Sequence, residues 1–286
     1  MNRRGALHVG LFVLTVISTL FAGSYYITGY DVLADFPNHV AHGLMLGVPF
    51  SLPLLTILGS HEFAHYHFAR RHGVDATLPY FIPFPNLFGT LGAVIKIRSR
   101  IYDRQALIDI GASGPLTGFV LAVFFCVLGL SMSSVIPKRG PLPGEPEFGV
   151  SIIYWLLVKL VLHPDETRQI VDLHPVAVAG WVGMFVTSIN LIPVGQLDGG
   201  HIAFAFLGKW HRAVSLFLIA LLALMGFVFK GWIIWAVILI FIGAKHPPVA
   251  DTYTPVGWKR QLIGVASLVV FIVTFTPVPL MINLGD

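Results

Sequence analysis

The chain has 286 residues, 56% of them hydrophobic and only 11% charged, with a mean hydropathy of +0.80. Soluble domains carry about 25% charged residues, so this composition excludes a soluble domain and describes a polytopic membrane protein. The net charge of +4 comes mainly from Lys and Arg beside apolar runs, which set topology and do not form a nucleic-acid surface.

The chain opens on "MNRRGALHVGLFVLTVISTLFAG", a basic start followed by an apolar stretch, as in a signal peptide. The rest of the chain is equally apolar, and we read this stretch as an uncleaved first span over 6–28. Further apolar runs predict spans over 41–69, 105–130, 175–195, 212–229, 231–244 and 259–278. The 231–244 run is short, and Lys230 at its edge can snorkel to the interface. "GVSIIYWLLVKLVL" (149–162) is too short to span and reads as an interfacial or half-membrane helix. The expected fold is therefore all-α and polytopic, with about six to seven transmembrane helices in a single domain over 1–286. A catalytic core over about 41–208 is flanked by helices 6–28 and 212–278.

Between the second and third spans, "VDATLPYFIPFPNLFGTLGAVIKIRSR" is rich in Pro, Phe and Gly, and "AVIKIRS" alternates apolar with basic residues. That period belongs to a half-exposed strand. We expect a small membrane-associated β element there, against the plainer reading of an irregular interfacial loop. Orientation follows from the basic residues. Arg3, Arg4, Arg70, Arg71, Lys96, Arg98, Arg100, Arg104, Lys209, Arg212, Lys259 and Arg260 fall on one side in a single alternating topology, which puts the N-terminus in the cytosol. The acidic 31–35 stretch and the 131–148 loop fall outside, with Lys138 and Arg139 as minor exceptions. The only cysteine, Cys126, lies in an apolar run and reads as packing.

One stretch breaks the apolar pattern with chemistry. In "LPLLTILGSHEFAHYHFARRHG", His61 and His65 are four residues apart and share a helix face, with Glu62 beside them. Glu62 is the only formal charge between Asp35 and Arg70. A carboxylate inside a membrane segment is costly and marks function, and H-E-x-x-H is the spacing of a two-histidine metal site with a neighbouring base. The plainer alternative is a polar contact between helices. A catalytic zinc takes about three protein ligands and keeps a position for water, so another ligand must come from elsewhere. Between Asp172 and Lys209 the only formal charge is Asp198, in "SINLIPVGQLDGGH". It follows a helix end broken by Pro193 and Gly195, on the same side as His61 and His65, which makes it the best third ligand. Its alternative role is to cap a segment starting at His201.

"HEFAHYHFARRHG" with "NLIPVGQLDGGH" resembles the site-2 protease family of intramembrane zinc metalloproteases, which pair an H-E-x-x-H helix with a later N-x-x-P…D-G motif. Here the second motif reads Asn190, Pro193, Asp198 and Gly199. "GASGPLTG" (111–118) is similar to the Gly-Pro segment of the family's intervening helix. The 78–100 loop and "HPVAVAGWVGMFVTSIN" look most like the plastid and cyanobacterial-type branch. The resemblance covers about residues 40 to 250. No large N-terminal soluble domain and no PDZ insertion are seen, so regulation by such modules does not carry over.

The resemblance implies that His61, His65 and Asp198 hold one catalytic Zn²⁺, which two imidazoles and a carboxylate suit. Glu62 would take a proton from the attacking water and hand it to the leaving amine. Asn190, two turns before Asp198, is the candidate donor to the oxyanion; a helix–helix hydrogen bond is its alternative. His67 points to another face. His201 could orient Asp198. His72, His211 and His246 read as interface residues, and Asp109 as an interhelical hydrogen-bond partner.

The implied function is hydrolysis of peptide bonds within or near transmembrane segments of membrane-protein substrates, with the lipid bilayer as the other partner and no nucleic acid. Such a substrate must unwind to expose its amides. The β element offers a strand edge for it, with the groove expected at 87–95 (Leu87, Phe88, Gly92, Val94). Two other classes were weighed. A proteolytically silent membrane chaperone or scaffold would show loss of Glu62 or a ligand, and none is missing. A metal transporter would space its ligands along a path, whereas these converge on one level. The compartment expected is a bacterial-type inner membrane.

Overall fold

The computed structural model describes residues 3–29, 31–34, 37–138, 146–251 and 253–282. Asp35 and Arg139, used in the topology expectation, lie outside the described residues. Helix α1 (Arg3–Ala22) runs into a π-helical turn (Gly23–Ile27). Helices α2 (Val40–Leu46) and α3 (Val48–Arg71) meet at a 54° bend. The bend sits at Gly47, where α1 passes so close that a Cβ would strike the Leu20 carbonyl. A hairpin of β1 (Tyr80–Pro83) and β2 (Thr90–Val94) follows, then α4 (Arg104–Ser131). Asp103 caps α4 by accepting from the Ala106 N–H at 2.7 Å.

The opposite end of the molecule is closed by short pieces. Strand β3 (Ser134–Pro137) pairs antiparallel with β5 (Gln169–Asp172), and β4 (Pro146–Phe148) pairs antiparallel with β6 (Leu280–Ile282). Between β4 and β5 lies α5 (Ile152–Val161). Its ten residues reach about 15 Å at 1.5 Å per residue, about half of a hydrocarbon core. Helix α6 (Pro175–Asn190) is followed by α7 (Asp198–Leu207), α8 (His211–Met225), α9 (Gly231–Ile242) and α10 (Trp258–Thr274).

The core is the packing of α3, α4 and α6. Helix α6 is buried nearly all round, and α4 crosses it at glycine contacts. A Cβ on Gly129 would meet the Ala177 backbone, and one on Gly180 would meet the Cys126 backbone. Small residues let the helices approach this closely, which is how membrane helices gain packing energy without a hydrophobic drive. Cys126 is buried there as packing. Trp181 fills the far end of this core and donates its indole N–H to the Gly149 carbonyl at 2.8 Å. Helix α10 is pinned by charge. Arg260 forks onto Asp109 of α4 at 2.7 and 2.9 Å, and His72 at the end of α3 bonds the same carboxylate at 2.9 Å. Asp109 is thus the interhelical partner expected, and His72 belongs to the same network.

Large apolar side chains lie exposed along α8 and α9, Phe227 and Phe241 most of all, as a lipid-facing surface requires. Among the described residues, three helices are long and apolar enough to cross a membrane: Gly5–Ile27, Arg104–Ser131 and Asp198–Met225. The bent α2–α3 pair makes up to four. The expectation of six to seven such helices is not met by length. The apolar runs end early at Asn190, Ile242 and Thr274, where Pro193, Gly243 and Pro277 interrupt the backbone.

Candidate metal centre

Helix α3 presents His61 and His65 one turn apart on its buried face, and both are about 5% exposed. Asp198 arrives from the first turn of α7. The turn that delivers it is built on glycine: Gly195 has φ +56°, and a Cβ on Gly199 would strike the Leu191 carbonyl. The helix starts at Asp198 itself, with Leu197 as its N-cap. Asp198 therefore does not cap a segment starting at His201, and its carboxylate reaches across to α3.

Asp198 Oδ2 lies 3.3 Å from His61 Nε2 and 3.2 Å from His65 Nε2, and the two Nε2 atoms are 3.0 Å apart. One ligand atom from each residue falls within 4.8 Å of the others, and this is the one such group of three among the described residues. The tautomer of His65 is fixed. Its Nδ1–H donates to the Ile110 carbonyl at 2.7 Å, which leaves Nε2 with a lone pair aimed at the centre. A histidine held by a backbone carbonyl through its other nitrogen is the usual support of a metal ligand. Helix α4 makes room for the rings: a Cβ on Gly114 would land on the His65 ring, and one on Gly118 would lie 3.1 Å from His61 Nδ1. These glycines come from the "GASGPLTG" segment. The donor set and its cradle fit a divalent zinc ion.

Glu62 is 7% exposed and lines the same cavity, its Oε1 4.0 Å from His61 Nε2. Asn190, the last residue of α6, places Nδ2 3.4 Å from His61 Nε2. It faces the centre, and the same contact joins α6 to α3, so both roles expected of it fit this position. The cavity holds about 210 Å³, and one wall is formed by Ala93, Val94, Ile95 and Ile97. The expected groove at 87–95 is thus met only at its end. Leu87 lies in the turn of the hairpin, and Phe88 packs on the α3–α4–α6 core. The strand also sits earlier than the alternation of "AVIKIRS" predicts, since β2 ends at Val94. Residues 95–98 continue it as a looser ribbon against 75–77, with Thr77 N–H on the Lys96 carbonyl at 3.0 Å and Arg98 N–H on the Asp75 carbonyl at 2.8 Å.

The remaining histidines divide clearly. His67 is exposed against Phe68, away from the centre. His201 lines the cavity, but its Nδ1 bonds His246 Nε2 at 2.6 Å. His246 stacks on Phe204, with His211 edge-on to both rings. His211 and His246, expected as interface residues, also have partners within the protein. They form a cluster with His201 behind the site, brought together by the loop after α9, and nothing in the spacing of the three marks it.

The described shape has no match among solved structures at a significant level. In sequence, the chain is 30% identical over 281 residues to "Probable zinc metalloprotease EGY2, chloroplastic" of Arabidopsis thaliana, covering 94% of this chain and 48% of that protein. It is 31% identical over 276 residues to the EGY2 of Oryza sativa subsp. indica, covering 94% and 49%. It is 31% identical over 239 residues to "Probable zinc metalloprotease EGY1, chloroplastic" of Arabidopsis thaliana, covering 81% and 43%. The chain spans about half the length of these curated relatives. The sequence model described as Peptidase family M50 matches residues 49–233, a stretch that holds His61, Glu62, His65, Asn190 and Asp198. With these motifs carried on membrane helices and their side chains gathered at one point, the chain belongs to peptidase family M50, the site-2 protease family.

Proposed function

We propose that the protein is an intramembrane zinc endopeptidase that hydrolyses peptide bonds within or near transmembrane segments of other membrane proteins. The observation that carries this reading is the convergence of His61, His65 and Asp198 within 4.8 Å, with Glu62 beside them and outside the ligand set. His61, His65 and Asp198 would hold a single zinc ion. When bound, that ion supplies Lewis acidity, lowering the pKa of water and polarising a carbonyl. Glu62 takes the proton of the attacking water and returns it to the leaving amine, a role that needs a carboxylate at the site but not on the metal. Asn190 Nδ2 donates to the oxygen that gains negative charge. A low-dielectric, enclosed cavity strengthens both contacts.

The substrate must enter as an unwound strand, because a helix keeps its amides bonded internally. The ribbon at 95–98 offers the edge. Its Lys96 and Arg98 backbone groups turn inward to residues 75–77. In alternation, the N–H and C=O of Ile95 and Ile97 turn away from residues 75–77, with no backbone partner among the described residues, and the Ile95 N–H donates to the Glu62 carboxylate. Ile95 and Ile97 also line the metal-site cavity, so a peptide added to this edge lies beside Glu62. We place the chain in a bacterial-type inner membrane or an organelle membrane derived from one, with the arginine- and lysine-rich side, and the N-terminus, in the cytosolic position. Six or seven crossings require the shorter α6, α9 and α10 to reach across as well.

The test is Glu62→Gln. Against a panel of transmembrane peptides, cleavage should fall by about 10²–10⁴-fold while zinc content stays at one ion per chain. Wild-type rates in this variant would refute the role of Glu62. Absence of zinc from the wild-type chain after metal supply would refute the site.

A further inference from the structure

The metal-site cavity opens into a larger one of about 1000 Å³, and the two share Val94, Ile95, Ile97, Gln196 and His201 as walls. The larger cavity carries Lys96, Arg98 and Arg100 on its rim, and no Asp or Glu lines it. These three side chains stand at every second position of an extended segment, so they share one face over about 13 Å. All three are exposed. Asp75 approaches Arg98 at 3.9 Å, a loose contact that it shares with Arg70 at 3.6 Å. Lys96 and Arg100 have no ion pair among the described residues.

We propose that this row is a specificity determinant that selects substrates with acidic residues in the flank leaving the catalytic cavity, and rejects cationic flanks. The inference rests on the protease reading. A peptide paired to the Ile95–Ile97 edge projects alternate side chains onto the face of Lys96, Arg98 and Arg100, because strands in one sheet align their faces. Opposite charges on that face attract and like charges repel. The physical interest lies in what is rejected. Membrane proteins carry an excess of Lys and Arg on the cytosolic side, and the charge bias of this chain puts the row on that same side. Ordinary transmembrane segments would therefore meet three like charges as they approach the site. Discrimination of this kind comes from repulsion of the wrong partner as much as from attraction of the right one.

The experiment uses the full-length chain in neutral detergent micelles. Three peptides share one transmembrane sequence and differ at three alternate flank positions, which carry Asp, Gln or Lys. Cleavage is read as kcat/KM on the wild-type chain, and binding as Kd on Glu62→Gln. The expected result is a preference for the Asp flank over the Lys flank of about tenfold in both readouts. The preference should shrink as salt is raised and invert in Lys96→Glu/Arg98→Glu/Arg100→Glu. Should that variant misfold, the salt series on the wild-type chain carries the same test. Equal cleavage and binding of all three peptides would overturn the proposal and leave the protease reading standing. A binding preference with no cleavage of any peptide would keep the charge recognition and sink the protease reading. If the row serves lipid headgroups, the wild-type chain will bind anionic vesicles better than the triple variant while the flank preference is absent, and the proposal falls.

Discussion

The smallest feature with a large expected effect is the missing side chain of Gly114. A methyl group there would occupy the space of the His65 ring, and α4 cannot retreat because Gly129 and Gly180 already lock it against α6 at backbone contact. Gly114→Ala should therefore displace His65 and weaken zinc binding by about 10–100-fold, the range seen when the support of a ligand is lost. Gly118→Ala, whose methyl would sit 3.1 Å from His61 Nδ1, should do so less. Competition with a chromogenic chelator measures both, and unchanged zinc affinity in Gly114→Ala would contradict the cradle. At this scale much was legible from sequence. His61, Glu62 and His65 share one helix turn, and Asp198 is the only charge in its stretch, so residue type and period sufficed. The meeting of His201 with His246 was not legible. It depends on where the loop after α9 folds back, and local pattern carries no information about that.

Among the elements, the ribbon after β2 is the one whose backbone matters most. Ile95→Pro removes the N–H that an incoming strand would use and that also donates to the Glu62 carboxylate, while Lys96 and Arg98 keep their bonds to residues 75–77. Cleavage of transmembrane peptides should drop by about two orders of magnitude or more with zinc content unchanged. Normal cleavage by this variant would exclude strand addition at that edge. The hairpin itself was readable from its alternation, yet its strand begins and ends earlier than the pattern suggests. The reason is in β1 and β2: Tyr80 pairs with Val94 and Phe81 with Ala93, and the register then slips before Pro83 meets Thr90. Three of the expected spans hold helices shorter than their apolar runs, because hydropathy marks what prefers lipid and does not mark where Pro193, Gly243 or Pro277 follows a helix end.

For the molecule as a whole, the site is carried by an apolar core packed among α3, α4 and α6. Trp181, Leu54, Ile57 and Leu130 are buried among α3, α4 and α6, and the Arg260–Asp109–His72 network ties α10 to them. Removing zinc with a chelator should abolish cleavage and restore it on metal return, with helical content by circular dichroism unchanged. The thermal midpoint should fall by only a few degrees, since the ion adds binding energy to a fold that already exists. Collapse of the helical signal on chelation would show instead that the metal holds the fold. The family was legible because the two motifs stand in order on apolar segments. The packing of α6 at the centre was not, since hydropathy cannot tell a helix wrapped in protein from one wrapped in lipid.

An unpaired strand edge inside a membrane protein is also a hazard to its owner, because it can template pairing with any similar edge. Two copies of this chain meeting along Ile95–Ile97 would bring two rows of Lys96, Arg98 and Arg100 face to face, and their mutual repulsion would drive them apart. On the strand-addition reading, the same cationic stripe would keep the chain from becoming its own ligand and leave the edge to substrate however densely the protein populates its bilayer.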